Sequence, residues 1–229
     1  MLKVHAFLVK LPHLSDAEFF AHWRHPHGTL TRRIPQFMRY VQNHGIGALP
    51  AVPGLAVGPW LGMPAIWVEN LDALARATAH PAYALLDADG GAFYNRDALE
   101  WLVGRETIIA PQAVGANCGP VKIMLLLQRQ SALLTLKRIA GVAEKIGAVL
   151  SDLSGISVTL PIDRAAEAPC DAIIELSFPD LERCLAAWGS GEQARPIIAE
   201  IADLETSQGL LVREERVIWP EHRLEGILA

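Results

Sequence analysis

Histidine is the side chain whose ordinary pKa lies nearest to neutral pH, so its placement indicates where proton transfer could occur. Seven of the eight histidines fall within the first 80 residues, and the eighth, His222, is in the C-terminal tail. The seven are His5, His13, His22, His25, His27, His44 and His80. This distribution predicts that acid–base chemistry, if the protein performs any, belongs to the first half of the chain.

His27 occupies a position in which a polar ring should face the protein interior. It is part of an apolar helical stripe that comprises Phe19, Trp23, His27, Leu30 and Ile34. Pro26 and Gly28 flank it, so we expect the helix to bend or break there. A buried imidazole needs partners, because an unpaired buried polar group costs about 1–3 kcal/mol. The ring is either an ordinary core histidine or a group whose pKa is tuned for proton transfer.

Three further polar side chains share one face of the next predicted strand. Tyr40, Gln42 and His44 alternate along it, and alternate residues of a strand point the same way. The phenol and the imidazole lie about 13 Å apart along the strand, since each residue advances it by about 3.3 Å. That separation suits two groups that flank one substrate. The alternative is that both side chains merely bond loop backbone.

A Gly/Pro-rich loop, residues 45–64, follows this strand. It contains five glycines, four prolines and Trp60, and it has neither helical nor strand periodicity. Long loops in compact domains often cover binding sites. We therefore expect Trp60 to be exposed and the loop to close over a hydrophobic ligand.

The elements that must position these side chains follow the order βαββαβ twice. Strands are predicted near residues 4–9, 37–43, 65–68, 102–109, 121–127, 155–161, 171–178 and 211–218. Helices are predicted between the first and second strands and between the third and fourth strands of each half. The order is the ferredoxin-like signature, and residues 111–120 are the predicted linker.

We therefore expect an α+β fold of two tandem ferredoxin-like (βαββαβ) repeats, residues 1–112 and 119–229. The strands are almost continuously apolar, so the two sheets should pack on each other as an intramolecular dimeric α+β barrel. The body of the second repeat, before the C-terminal tail, contains no histidine, and this repeat is expected to be a structural partner. A single Rossmann-type α/β domain is the alternative, although no GxGxxG sequence follows a strand.

Composition excludes several classes of protein. The 229 residues are 51% apolar with a net charge of −5 and no clustered basic patch, which argues against nucleic-acid binding. No apolar stretch approaches the roughly 18 residues that span a membrane, so we expect a cytoplasmic protein. The three cysteines are odd in number, form no CxxC motif and have no metal-type histidine spacing around them, so neither a disulfide frame nor a zinc site is expected. His22, His25 and His27 have no obvious further ligand nearby, so no metal site is predicted.

Several spaced motifs of the first half resemble the EthD family of dimeric α+β barrels. The first is Phe19-x-x-His22-Trp23-x-x-x-His27-Gly28, which is followed by Pro35 and by Tyr40-Val41-Gln42-Asn43-His44. The segments 79–93 and 105–109 are also similar to that family. The second half lacks the first two motifs, so a single active site is expected.

The resemblance implies a cofactor-free hydrophobic cavity in which histidine and tyrosine act as acid and base. Matched position by position, it implies His27, Tyr40 and His44 as catalytic residues, with His22 and Trp23 as wall residues. We expect the substrate to contact His5, His22, Trp23, Gln42 and Trp60. Neither a metal nor any other cofactor is expected.

The leading functional hypothesis is a lyase or isomerase that acts on a hydrophobic aromatic or polyketide-like molecule by dehydration, decarboxylation or retro-aldol cleavage. One alternative is a cofactor-free monooxygenase of a phenolic substrate, which oxygen consumption would reveal. Another is a non-catalytic small-molecule binding protein. The only predicted partner is the small hydrophobic substrate, and the protein is expected to be a monomeric pseudo-dimer or a homodimer.

Overall fold

The structure is a computed structural model that describes residues 1–47, 52–110, 121–130, 134–162 and 168–219. The predicted linker at 111–120, part of the predicted lid, Cys118 and His222 lie outside these residues. The strands are β1 (Leu2–Phe7), β2 (Arg39–Gly45), β3 (Gly62–Val68), β4 (Glu100–Ala110), β5 (Val121–Leu127), β6 (Gly155–Pro161), β7 (Ala172–Phe178) and β8 (Gln208–Ile218). The α-helices are α1 (Asp16–His22), α2 (Gly28–Thr31), α3 (Leu71–Thr78), α4 (Pro81–Gly90), α5 (Leu136–Val149), α6 (Leu181–Trp188) and α7 (Arg195–Ile198).

Strand pairing confirms the predicted α+β class. The described strands are hydrogen-bonded in the order β1-β3-β2-β8-β5-β7-β6-β4, an eight-stranded antiparallel barrel. The Rossmann-type alternative is wrong, because that fold needs a mainly parallel sheet. That the two halves are tandem ferredoxin-like repeats stays a prediction.

The chain forms two compact units. The first comprises Met1–His44, Trp60–Val103 and the segment from Glu215 onward, and the second comprises Gly45–Pro59 and Gly104–Glu214. The predicted domain limits, 1–112 and 119–229, stay a prediction. No helix in the described part of the chain is long and apolar enough to cross a membrane.

The sheet of the first unit has two different faces. In β1, β2 and β3, His5 is opposite Ala65 and Tyr40 is opposite Ile66. On one face Ala6 and Leu8 pack with aromatic side chains of the first helix and of the segment after α4. On the other face, Val41, Ala65 and Trp67 form a separate buried cluster. Alternation along each strand therefore decides which side chains meet the helices.

The first helix begins with a capping box and is interrupted where the sequence predicted a break. Ser15 Oγ accepts from Glu18 N, and Glu18 Oε2 accepts from Ser15 N at 2.8 Å. After α1 the backbone forms a π-helical turn, Trp23–His27, which contains Pro26 and a non-helical His25. The turn leaves Trp23 and His27 both buried, so the break changes the path of the backbone without turning either ring outward.

The second unit has a filled apolar core around the sheet β8-β5-β7-β6-β4. Ile139, Ala143 and Ile146 of α5 are fully buried in it. One cluster of three charged side chains lies within this apolar interior. Lys122 lies 2.9 Å from Glu175 Oε2 and also bonds Glu214, and all three side chains are buried.

Candidate active site

A cavity opens between the helices and the sheet of the first unit. Its empty volume, including the open mouth, is about 520 Å³. The lining residues are Ala6, Leu8, Trp23, His27, Thr31, Phe37, Tyr40, Pro64, Ile66, Tyr83, Leu86, Asp87, Tyr94, Leu99 and Trp101. All of them precede residue 110, which agrees with the predicted placement of the cavity in the first half. That the cavity binds a ligand stays a prediction.

His27 faces this cavity and is held from behind by a carboxylate. Its Nδ1 lies 2.9 Å from Asp89 Oδ2, at the end of α4. The other carboxylate oxygen, Oδ1, lies 3.0 Å from Nε2 of His22. The Phe93 ring packs against both imidazoles, with ring centres 4.8 and 5.0 Å away. Asp89 therefore fixes the orientation of two histidines at once.

The protonation of His27 is set by opposing effects. Burial, the larger effect, lowers the pKa of His27 because the apolar surroundings disfavour the charged ring. The hydrogen bond and the charge of Asp89 raise it and only partly compensate. The imidazole is therefore neutral at pH 7. With Asp89 accepting from Nδ1–H, the unprotonated nitrogen is Nε2, which has no hydrogen-bond partner among the described residues.

Tyr40 is the second polar group of the cavity wall. Its hydroxyl accepts from Trp23 Nε1 at 2.9 Å and from Gln42 Nε2 at 3.3 Å. Burial raises the pKa of Tyr40 to about 12, against the smaller opposite effect of these hydrogen bonds. Tyr40 is therefore a phenol at neutral pH and can donate a proton or a hydrogen bond.

His44 lies behind the wall and is not among the residues that line the cavity. Its ring is stacked between Trp23, at 4.5 Å, and Phe20, at 4.7 Å. Its Nε2 lies 2.9 Å from Gln42 Oε1. The structure therefore joins Tyr40 and His44 through Gln42, where the sequence predicted two groups that flank a substrate.

Four of the five predicted substrate contacts are not among the residues that line the cavity: His5, His22, Gln42 and Trp60. His5 is buried in β1 next to Ala6, so alternation turns it toward the face opposite the cavity. Trp60 was expected to be exposed, and this was wrong. The indole is only 5% exposed because it packs on Phe7, with ring centres 4.9 Å apart. Of the predicted set, the cavity wall contains Trp23, His27 and Tyr40.

Sequence reasoning did not select several polar residues of the site. Asp89 supports His27, and four further polar residues lie on the wall itself: Thr31, Tyr83, Asp87 and Tyr94. Burial raises the pKa of Tyr94 to about 12, so this hydroxyl is also protonated at neutral pH. The available signal was the spacing of Tyr83, Leu86 and Gly90, which places one face of α4 toward the interior.

The site can carry out proton transfer in apolar surroundings. Its wall contains the neutral imidazole of His27, which can act as a base, and the phenol of Tyr40, which can act as a donor. Among the residues that the structure describes, no group of three or more histidine, cysteine, aspartate or glutamate side chains could hold a metal ion.

Comparison with solved structures shows what the fold is similar to. An anthrone oxidase-like protein aligns with a TM-score of 0.60 at 8% identity, over 94% of this chain and 92% of its own. A proposed monooxygenase from Lactobacillus acidophilus NCFM aligns with a TM-score of 0.55 at 9% identity, over 94% and 93%. A mutant chlorite dismutase from Candidatus Nitrospira defluvii gives 0.55 at 9% identity, over 98% and 94%. At such low identity these likenesses show a common fold alone.

Sequence comparison finds a family match within the first half of the chain. No curated protein matches the chain. The EthD domain matches residues 11–97, which include the first helix, His27, Tyr40, His44 and Asp89. The resemblance that the spaced motifs predicted is thereby confirmed as a match of residues 11–97 to the EthD domain.

Proposed function

We propose that the protein is a cofactor-independent monooxygenase of a small, hydrophobic, phenolic substrate. The observation that carries this proposal is the pairing of His27 and Tyr40 on the wall of one apolar cavity. His27 is neutral, its Nε2 has no hydrogen-bond partner among the residues that the structure describes, and Tyr40 is a protonated phenol. The two groups have opposite proton-transfer roles at the same pH, which is the usual requirement for an acid–base pair.

The first step is removal of a proton from the substrate. Nε2 of His27 takes it from a phenol or from a carbon activated by neighbouring rings, and Asp89 stabilises the imidazolium that forms. Tyr40 donates a hydrogen bond to the substrate oxygen, where negative charge accumulates. The apolar walls strengthen both interactions because they keep water away from the charges.

The second step uses the electron-rich anion as the reductant of molecular oxygen. For a substrate with a reactive methylene, one methylene group and one molecule of oxygen give one carbonyl group and one molecule of water. One oxygen atom enters the new carbonyl group, and the other leaves as water with the two hydrogens of the methylene. The proton held by His27 is returned during formation of water, so no net proton is consumed. The protein's own residues supply the base and the hydrogen-bond donor.

The names of two similarly folded proteins support oxidation as the outcome. One is called anthrone oxidase-like and the other is a proposed monooxygenase. A lyase or isomerase is the second candidate, because the same His27–Tyr40 pair could abstract and return a proton without oxygen. A lyase or isomerase would begin with the same removal of a proton by His27, so the two reactions differ only in whether the substrate anion then reacts with oxygen.

Oxygen uptake tests the proposal. Purified protein is incubated with hydroxylated anthrones and naphthols while dissolved oxygen and product are measured together. We expect one oxygen molecule consumed per product formed over many turnovers. Product formation without oxygen uptake would replace the monooxygenase by the lyase or isomerase. Substrate depletion that stops at one equivalent per protein would indicate a binding protein.

A further inference from the structure

The side chains behind Tyr40 form a hydrogen-bond chain whose direction can be assigned. Gln42 Nε2 lies 2.7 Å from the backbone carbonyl of Trp23 and 3.3 Å from the hydroxyl of Tyr40. A carbonyl oxygen only accepts, so the amide group of Gln42 must present its NH2 end to Trp23. Gln42 then donates one Nε2 hydrogen to the carbonyl oxygen of Trp23 and the other to the hydroxyl oxygen of Tyr40.

The amide orientation determines which nitrogen of His44 carries a hydrogen. With the NH2 of Gln42 directed at Trp23 and Tyr40, its Oε1 faces His44 Nε2 at 2.9 Å. An amide oxygen cannot donate, so His44 must donate from Nε2–H. In the neutral ring the other nitrogen, Nδ1, is then without a hydrogen.

The surroundings of His44 hold it in this neutral form. Burial between Phe20 and Trp23 lowers the pKa of His44 to about 4. Glu215 Oε1 is 3.7 Å from Nδ1 and opposes this effect, but Arg24 binds the same carboxylate at 2.6 Å and weakens its influence. Within the described part of the chain, these are the charged groups that face the ring.

The same chain of hydrogen bonds makes the Tyr40 hydroxyl a donor toward the cavity. Its oxygen receives Trp23 Nε1–H at 2.9 Å and Gln42 Nε2–H, so both lone pairs are occupied. The hydroxyl hydrogen must therefore point elsewhere. The Thr31 hydroxyl, which also lines the cavity, donates its own hydrogen to the carbonyl of His27 at 2.9 Å. A substrate oxygen in the cavity can accept the hydrogen of Tyr40.

We propose that Gln42 and His44 are positioning residues, which act through Tyr40 by making it a hydrogen-bond donor toward the cavity. His44 keeps the Gln42 amide in one orientation, and Gln42 and Trp23 direct two N–H groups at the phenol oxygen. Negative charge that develops on this oxygen as Tyr40 donates is met by those two groups. His44 itself exchanges no proton with the substrate. This inference rests on the proposed role of Tyr40 as donor in the oxygenase reaction.

The first test is spectroscopic and needs no substrate. The intact protein is labelled with nitrogen-15 histidine, and the His44 signals are assigned by their loss in His44→Phe, which keeps a flat ring between Phe20 and Trp23. We expect a hydrogen on Nε2, none on Nδ1 and no titration between pH 6 and 9. A hydrogen on Nδ1, or a titration midpoint between pH 6 and 7, would overturn the inference whether or not the protein consumes oxygen.

The second test separates positioning from proton exchange by kinetics. His44→Phe should lower kcat less than about 10-fold and leave the pH profile unchanged, whereas loss of a true acid or base costs about 100-fold or more. Gln42→Leu should lower kcat more than His44→Phe does, with little change in KM, because one donor to the Tyr40 oxygen is lost. A 100-fold loss in a folded His44→Phe protein would make His44 catalytic and refute the proposal. If the reaction proves to be a lyase or isomerase reaction, the same comparison is made with that product.

Discussion

At the scale of single residues, the cavity wall contains two groups, His27 and Tyr40, that remain uncharged for the same reason. Burial lowers the pKa of His27 and raises the pKa of Tyr40, because in both cases the charged form is the less stable one in apolar surroundings. The outcome is a base and a donor that coexist at neutral pH. Asp89 prevents burial from lowering the pKa of His27 further.

Replacement of His27 should abolish most of the activity. His27→Ala removes the proposed base, and we expect kcat/KM to fall about 100-fold or more, the usual contribution of a positioned base. His13→Ala is the matched control, since His13 is exposed in the turn before α1 and should leave turnover unchanged. Circular dichroism checks that both variants fold. Wild-type kcat in folded His27→Ala would remove this residue from the catalytic set.

The pH dependence of kcat/KM should report the lowered pKa of His27. The base is active when neutral, so activity falls as the pH drops through the pKa of His27 in the folded protein, which lies below 6.5. Asp89 raises that pKa, so Asp89→Asn should move the acid limb to still lower pH while also lowering kcat. Steady-state kinetics between pH 4 and 9 measure the acid limb of the wild-type protein and of Asp89→Asn. An acid limb that moves upward in Asp89→Asn would contradict this account.

At the scale of secondary-structure elements, the interruption of the first helix and a glycine in β3 together determine where the Trp23 indole lies. A Cβ atom on Gly62 would lie 2.3 Å from Cζ3 of Trp23. The indole lies against this bare backbone, donates to Tyr40 and stacks on His44. The position of the Trp23 indole therefore requires a glycine at position 62.

Gly62→Ala should displace the indole and destabilise the protein. We expect a loss of about 1–3 kcal/mol in the free energy of unfolding, the usual cost of overpacking a well-filled core. Gly141→Ala, within α5, is the control because its Cβ meets nothing within 4 Å. It should stabilise the protein by about 0.5–1 kcal/mol, since alanine favours a helix over glycine. Urea unfolding measures both, and equal effects would contradict the packing argument.

At the scale of the whole molecule, the two units differ in what they bury. The first unit buries polar side chains around a cavity, and the second buries an apolar core with one charged cluster. Lys122 bonds both Glu175 and Glu214 in that cluster, and the two carboxylates hold the pKa of its amine above the ordinary range. Such a cluster favours one strand register, because any shift would separate buried charges from their partner.

Removal of the cation from this cluster should be costly. Lys122→Met takes away the amine that both carboxylates contact, and breaking a buried pair on one side costs about 3–5 kcal/mol. Adding Glu175→Gln and Glu214→Gln to the same protein should recover part of that loss, since fewer buried charges then remain. Thermal and urea unfolding of the two variants measure the difference. A loss below about 1 kcal/mol for Lys122→Met would show that the cluster contributes little.

The sequence alone determined the elements and the directions of many side chains. Local periodicity predicted the alternation of strands and helices, the bounds of β5 and β6, and the break of the helix near Pro26. It also predicted that His27 faces inward and that Tyr40, Gln42 and His44 share a face. These predictions succeed because they depend on neighbouring residues, whose spacing is fixed by the geometry of a helix or a strand.

Only the tertiary structure decided which of these groups meet. Asp89 lies 62 residues from His27 in the sequence, and Glu175 lies 53 residues from Lys122. Packing between distant segments likewise buries Trp60 and places His44 behind Trp23, away from the cavity. It also decides that His5 lies on the face of the sheet opposite the cavity. No local period encodes such pairings. They follow from how side chains fill the shared interior and from the need of each buried polar atom for a partner.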